Sequence, residues 1–68
     1  MKQYGKVIEY DGYIGSVING MGTIYKFTNK DLKEDISEGD FVTFTEEIFK
    51  TVEVKEYLAR FITKTNPK

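Results

Sequence analysis

The feature of this sequence that most constrains its fold is the alternation of short apolar segments with glycine-containing turns. Asp11-Gly12 follows a segment rich in β-branched and aromatic residues, and "NGMG" at residues 19–22 follows the next such segment. Asn and Gly accept the positive φ that tight hairpin turns require. Three strands, at about residues 4–10, 13–18 and 23–28, are therefore predicted to form an antiparallel meander.

A polar connection separates this meander from two further predicted strands. Five acidic residues lie between Asp31 and Asp40, and Asn29 is placed to cap a short helical turn at residues 30–33. The segments "FVTFTE" and "EYLARFIT" have strand composition, whereas residues 46–55 between them fit either neighbour. Five short strands in this arrangement predict an all-β fold, a small five-stranded Greek-key barrel of the oligonucleotide-binding type.

Alternation along the strands predicts which side chains form the core, because every second residue of a strand points to the same face. A chain of 68 residues must bury its aromatic side chains efficiently to be stable. The residues predicted to converge in one core are Val7, Val17, Tyr25, Phe27, Val42, Phe44, Ala59 and Phe61. Val7 and Ile8 are adjacent, so the phase of the first strand stays open. Residues 1–64 are predicted to form one domain, and residues 65–68 a flexible C-terminal tail.

Composition argues against several functional classes. The chain contains no histidine and no cysteine, so it lacks the commonest general base, the commonest activated nucleophile and any thiolate metal ligand. No P-loop or dinucleotide fingerprint occurs, and the acidic run lacks the spacing of a calcium loop. We therefore expect no enzyme activity, no cofactor and no metal site.

The charge and hydropathy patterns bear on location and partners. The chain has no apolar run of the length of a signal peptide or a membrane span, which predicts a cytoplasmic protein with no membrane partner. Ten basic and eleven acidic residues give a net charge of -1, so no overall field attracts polyanions. Any contact with nucleic acid must therefore come from a local patch.

Several segments resemble bacterial cold-shock domains. "GKVIEYD" is similar to the family's opening strand, G-K-V-K-W-F-N, and "YIGSVI" falls where the family carries K-G-F-G-F-I. "IYKFTNKDL" falls at the second ribonucleoprotein motif, V-F-V-H-F, and "ISEGDFVTF" resembles L-x-E-G-Q-x-V-x-F. "ARFI" is similar to the closing A-x-x-V. The resemblance spans about residues 5–63 and implies a barrel that binds single-stranded RNA or DNA.

The sequence departs from that family at the positions that stack on bases. Glu9 stands at the tryptophan of the first strand, and Ser16 at the second phenylalanine of the next motif. Lys26 replaces the exposed phenylalanine of the third strand, and Thr28 the histidine after it. Each stacked base is worth about 1–3 kcal/mol, so losing three rings costs at least ~3 kcal/mol, or more than about a hundredfold in affinity. The resemblance therefore implies weak binding with little sequence preference.

Two functional interpretations remain open. A nucleic-acid-binding face would consist of Lys6, Glu9, Tyr10, Tyr13, Ser16, Lys26 and Thr28, with Arg60 as a further cation. The alternative is a surface for a protein partner or for self-association, formed by outward-facing aliphatic residues of the second and third strands, Ile14, Ile18 and Ile24. Gly15, inside the second strand, is expected to serve strand curvature.

Overall fold

A computed structural model describes residues 2–67, which form an all-β, closed five-stranded barrel. The strands are β1 (Lys2–Tyr10), β2 (Ile14–Asn19), β3 (Ile24–Thr28), β4 (Phe41–Lys50) and β5 (Lys55–Lys64). Their order around the barrel is β1-β2-β3-β5-β4, and β4 pairs with β1 to close it. The predicted all-β barrel is confirmed, and its order is consistent with a small barrel of the oligonucleotide-binding type.

The first three strands form the predicted antiparallel meander. Gly12 and Gly22, in its two turns, have φ angles of 100° and 87°, which residues with a side chain rarely adopt. Asp11 braces the first turn, because its Oδ1 accepts hydrogen bonds from the N–H groups of Tyr13 and Ile14 at 2.8 and 2.9 Å. The bond from Ile14, followed by that from Tyr13, lowers the pKa of the Asp11 carboxyl.

The helical turn after β3 begins earlier than predicted. It is a single 3-10 turn at Asn29–Asp31, and its N-cap is Thr28 rather than Asn29. The Thr28 N–H donates to Asp31 Oδ2 at 2.8 Å, so the carboxylate three residues ahead selects the start of the turn. The predicted span of residues 30–33 is therefore wrong at both ends.

Residues 46–55, which the sequence left open, extend both neighbouring strands. β4 and β5 continue as an antiparallel ladder in which Ile48 opposes Tyr57. The connection closes where the Thr51 N–H donates to the Val54 carbonyl at 2.7 Å. Within residues 2–67, β1 pairs with β4 as far as Thr45, and β4 and β5 continue beyond that pair as a two-stranded hairpin arm, defined here as residues 46–56.

One buried hydrophobic core fills the barrel. Among residues 2–67 its members are Val7, Val17, Tyr25, Phe27, Ile36, Val42, Phe44, Ala59 and Ile62. Every predicted core residue except Phe61 belongs to it. Val7 is 1% exposed and Ile8 39% exposed, so the first strand has the phase that points Val7 inward.

The predicted inward orientation of Phe61 is wrong, because its side chain is 60% exposed while Ile62 is completely buried. A β-bulge between the pairs Thr45–Arg60 and Thr43–Thr63 inserts one extra residue into β5. Phe61 has a φ of 53°, and the alternation of β5 changes phase there. A uniform period of two residues therefore assigns the wrong side chain to the core.

The segment predicted to be a tail begins with two hydrogen bonds to the barrel. The Thr65 N–H donates to the Phe41 carbonyl at 2.9 Å. The Tyr4 hydroxyl donates to the Asn66 carbonyl at 2.7 Å. Residues 65 and 66 are thereby joined to the strands β4 and β1.

Candidate ligand-binding groove

One row of directly opposed residues crosses the outer surface of all five strands. Glu9 of β1 opposes Ser16 of β2, which in turn opposes Lys26 of β3. Lys26 opposes Leu58 of β5, and Leu58 opposes Glu47 of β4. Directly opposed side chains lie on the same face of a sheet. The row therefore brings together three positions that the sequence nominated from separate strands.

A groove of about 390 Å³ lies over the part of this row from Glu9 to Leu58. Its apolar lining comes from Ile14, Phe27 and Leu58. Its charged and hydroxyl groups come from Glu9, Ser16, Lys26, Thr28, Asp31 and Arg60. The groove thus combines apolar walls with two cations and two carboxylates.

Arg60 is the compensated cation of the groove. Its guanidinium Nη1 lies 2.8 Å from Asp31 Oδ1, and its Nε lies 3.4 Å from Glu47 Oε2. The hydrogen bond to Asp31, followed by that to Glu47, raises the pKa of Arg60. Because two carboxylates share this charge, Arg60 adds little attraction for an anionic ligand.

Lys26 is the uncompensated cation of the groove. It lies on the exposed outer face of β3, and within the described part of the chain its ammonium makes no hydrogen bond or ion pair. Its direct neighbours in the row are Ser16 and Leu58. The positive charge at the centre of the row is therefore available to a ligand.

Ser16 lies at the middle of the outer face but is only 6% exposed. Its hydroxyl donates to Glu9 Oε1 at 3.0 Å, which satisfies the buried oxygen and holds the Glu9 carboxylate over β2. A carboxylate fixed beside the groove repels phosphate groups. Ser16 and Glu9 thus form a polar pair at the position where the cold-shock resemblance places two rings.

Three other predicted nucleic-acid contacts lie outside the groove. Tyr10 packs against the core, with its ring centroid 5.4 Å from that of Phe27. Tyr13 is 73% exposed in the turn between β1 and β2. Lys6 lies beside β4, with its ammonium 5.6 Å from the centroid of the Phe41 ring. The structure gathers Glu9, Ser16, Lys26 and Thr28 into one site and leaves these three around it.

The residues proposed for protein contact share the outer face with the groove. Ile18 opposes Ile24, and Ile14 opposes Thr28. Ile14 is 62% exposed and Ile24 is 49% exposed, whereas Ile18 is partly buried. The two surfaces that the sequence kept apart are therefore neighbouring parts of one face.

Asp31 and Leu58 are groove residues that the sequence-based prediction missed. Alternation in "EYLARFIT" correctly places Leu58 and Arg60 on one face of β5. Alternation carries no information on which strand pairs with β5. Lys26 and Leu58 meet through the parallel pairing of β3 with β5, and Asp31 enters through its bond to Arg60.

The chain matches no protein-family model, and a search of curated proteins finds no match. Residues 2–67 include no helix long and apolar enough to cross a membrane. Over that same span, no three Asp or Glu side chains are grouped so as to hold a metal ion.

Proposed function

We propose that this barrel binds single-stranded nucleic acid weakly and with little sequence preference, along the groove over β2, β3 and β5. The observation that carries the proposal is the position of Lys26. Its ammonium has no partner among residues 2–67, and it stands in an open groove with the apolar side chains of Ile14 and Leu58. Single-strand binding surfaces combine positive charge along the nucleic-acid backbone with aromatic rings that stack on the bases, and this groove supplies one such charge beside an apolar lining.

The surroundings of the groove agree with this use. Small barrels of the oligonucleotide-binding type engage ligands on strands two and three and on the loops that join strands one to two and four to five. Tyr13 is an exposed ring in the first of these loops, and Phe49, 52% exposed, lies on the arm near the second. Phe49 shares the outer face of the arm with Glu47, which opposes Leu58 of the groove. Two rings thus flank the groove and can stack on bases.

The same geometry accounts for weak binding. The groove row holds no aromatic side chain, and Arg60 is compensated by two carboxylates. Glu9 faces the groove with its negative charge. Among residues 2–67, one free cation of the groove therefore has to supply most of the attraction for phosphate, and affinity no better than about micromolar is expected at moderate salt.

The test is an NMR titration of the isotope-labelled chain with an oligothymidylate of about eight nucleotides at low salt. We expect backbone shifts in β2 and β3 and at Leu58 and Arg60. Lys26→Glu should weaken binding. Lys2→Glu makes the same change in charge on β1, opposite Thr45 of β4, and should have little effect. An absence of shifts at low salt would overturn the proposal.

The second candidate is a protein-contact surface on the same outer face. The exposure of Ile14 and Ile24 on one face, at 62% and 49%, favours it, because exposed aliphatic side chains gathered on one face are typical of interaction sites. In that case the oligonucleotide titration should produce no backbone shifts, and Lys26→Glu should not alter that result. The two functions therefore make opposite predictions for one measurement.

A further inference from the structure

The hairpin arm has an open strand edge. β1 covers β4 from Phe41 to Thr45, and no other strand within residues 2–67 pairs with that side of residues 46–50. An uncovered edge presents backbone N–H and C=O groups that can pair with another strand. This edge differs from the groove, which lies over β2, β3 and β5.

The ladder of the arm shows which backbone groups point to the open edge. The Thr51 N–H bonds to the Val54 carbonyl at the hairpin end, so hydrogen-bonded and non-hydrogen-bonded pairs alternate from there along the ladder. Phe49 and Glu47 then bond to β5. The N–H and C=O groups of Glu46, Ile48 and Lys50 point the opposite way, toward the open edge.

Exposed apolar side chains stand along the arm between its charged residues. Ile48 is 48% exposed, Phe49 52% and Val54 46%, and Val52 at the tip is fully exposed. Protruding edges are commonly protected by a proline or by charged side chains. Residues 46–50 have no proline, and the charges of Glu46, Glu47 and Lys50 are of both signs, so they can also attract a complementary strand. The edge therefore has both the backbone groups and the apolar surface to pair with a further strand.

We propose that this edge pairs with the same edge of a second copy of the chain, antiparallel about Ile48. In this register Ile48 opposes Ile48 of the second copy, and Glu46 opposes Lys50 in both directions. The three residues whose backbone groups point to the open edge then exchange hydrogen bonds with the second copy, about six in total. Opposite charges directly across an antiparallel pair are favourable.

The charge pattern selects both the partner and the register. Residues 46–50 read Glu-Glu-Ile-Phe-Lys, so a two-fold axis at Ile48 places each terminal charge opposite its complement. Moving the register by one hydrogen-bonded pair places Ile48 opposite Lys50 and removes both ion pairs. An edge that complements itself in this way fits a second copy better than an unrelated strand. The contact is small, so the dimer should be weak and dependent on concentration.

Sedimentation velocity of the full chain, from about 10 µM to about 1 mM, tests the proposal. The wild type should shift from monomer toward dimer over this range. Lys50→Glu places like charges across the axis and should abolish the shift. Lys30→Glu makes the same change in charge on the 3-10 turn and should leave the shift unchanged. A wild type that stays monomeric, or a Lys50→Glu variant that dimerises like it, would overturn the proposal.

A charge-swap mixture tests the register itself. Glu46→Lys alone also places like charges across the axis, but an equimolar mixture with Lys50→Glu restores two opposite-charge pairs in the heterodimer. Association should therefore return only in the mixture, and a mixture no stronger than its components overturns the register.

Ile48→Pro gives an independent test. It is needed because the Glu46 carboxylate accepts a hydrogen bond from the Tyr25 hydroxyl, so Glu46→Lys also loses that bond and can misfold. Proline removes the N–H that points to the open edge and spares the ladder to β5. A folded Ile48→Pro variant should be monomeric, and one that dimerises overturns the proposal.

Discussion

Gly15 of β2 directly opposes Phe27 of β3, and the two are so close that no Cβ fits between them. A Cβ built on Gly15 would lie 2.5 Å from the Phe27 ring and 2.5 Å from the Glu9 carbonyl oxygen. The ring of Phe27 is buried against the strand and packs on Tyr10. The close approach of the Phe27 ring thus explains why β2, a strand rich in β-branched residues, has a glycine at position 15.

Gly15→Ala should lower the free energy of unfolding by about 1–3 kcal/mol, because the added methyl group overpacks a core contact. Urea denaturation measures the loss. Gly20→Ala is the matched control, since a Cβ there meets nothing within 4 Å. Equal losses in the two variants would contradict a packing role for Gly15.

Phe44→Ala should lower the free energy of unfolding by about 3–5 kcal/mol, enough to unfold so small a domain. Phe44 is completely buried and its ring lies 4.9 Å from that of Tyr25, centroid to centroid. Phe61→Ala removes the same atoms from an exposed position, where the Lys33 ammonium lies 5.1 Å from the centroid of the ring. It should cost less than about 1 kcal/mol. A larger loss from Phe61→Ala would place that ring in the core after all.

Tyr25 should make the domain sensitive to alkaline pH. Burial, followed by the hydrogen bond that its hydroxyl donates to Glu46, raises the pKa of Tyr25 from 10.0 to about 12. Because the pKa of Tyr25 is higher in the folded state, its contribution to the free energy of unfolding is fully present below pH 10 and is lost as the pH rises from about 10 to about 12. Thermal unfolding across this range should show the loss in the wild type. Tyr25→Phe should lack this component, whereas Tyr13→Phe, at an exposed ring, should retain it.

Oligonucleotide affinity should fall with salt along a shallow slope. One to two phosphate contacts predict a slope of about -0.7 to -1.4 in log K against log salt for a single strand. Fluorescence anisotropy at several salt concentrations measures it, and Lys26→Glu should flatten it while Lys2→Glu should not. A salt-insensitive nanomolar complex would instead reveal a stacking surface elsewhere on the barrel.

Restoring rings to the row should strengthen oligonucleotide binding. Glu9, Ser16 and Lys26 oppose one another in sequence across β1, β2 and β3, so Glu9→Trp, Ser16→Phe and Lys26→Phe place three rings side by side. We expect a gain of about tenfold to a thousandfold by anisotropy. This is at the low end of the stacking energies, because ordering costs and the loss of the Lys26 charge offset part of them.

Because Ser16 is 6% exposed, a double variant that keeps it is the control for steric damage. The double variant should retain most of the gain, and thermal unfolding and sedimentation check that both variants fold and do not aggregate. A folded, monomeric triple variant with no gain would make the protein-contact surface the leading interpretation.

Much of the fold follows from local sequence because its causes are local. Gly12 and Gly22 occupy turn positions with positive φ, and these turns join strands that are consecutive in the chain. Alternation then assigns inward and outward faces for as long as the period of two persists, which is why it succeeds at Phe44. It fails at Phe61, where one inserted residue shifts the phase of β5.

The candidate site was predictable only in part, for a physical reason. Glu9, Ser16 and Lys26 belong to the meander, so local pairing brings them together. The other half of the groove depends on the parallel pairing of Lys26 with Leu58 and on the salt bridge between Arg60 and Asp31. Both join distant parts of the chain, and no local pattern encodes them. Sequence alone determined that Lys26 faces outward, whereas closure of the barrel decided that it is the uncompensated cation of the groove and that Arg60 is not.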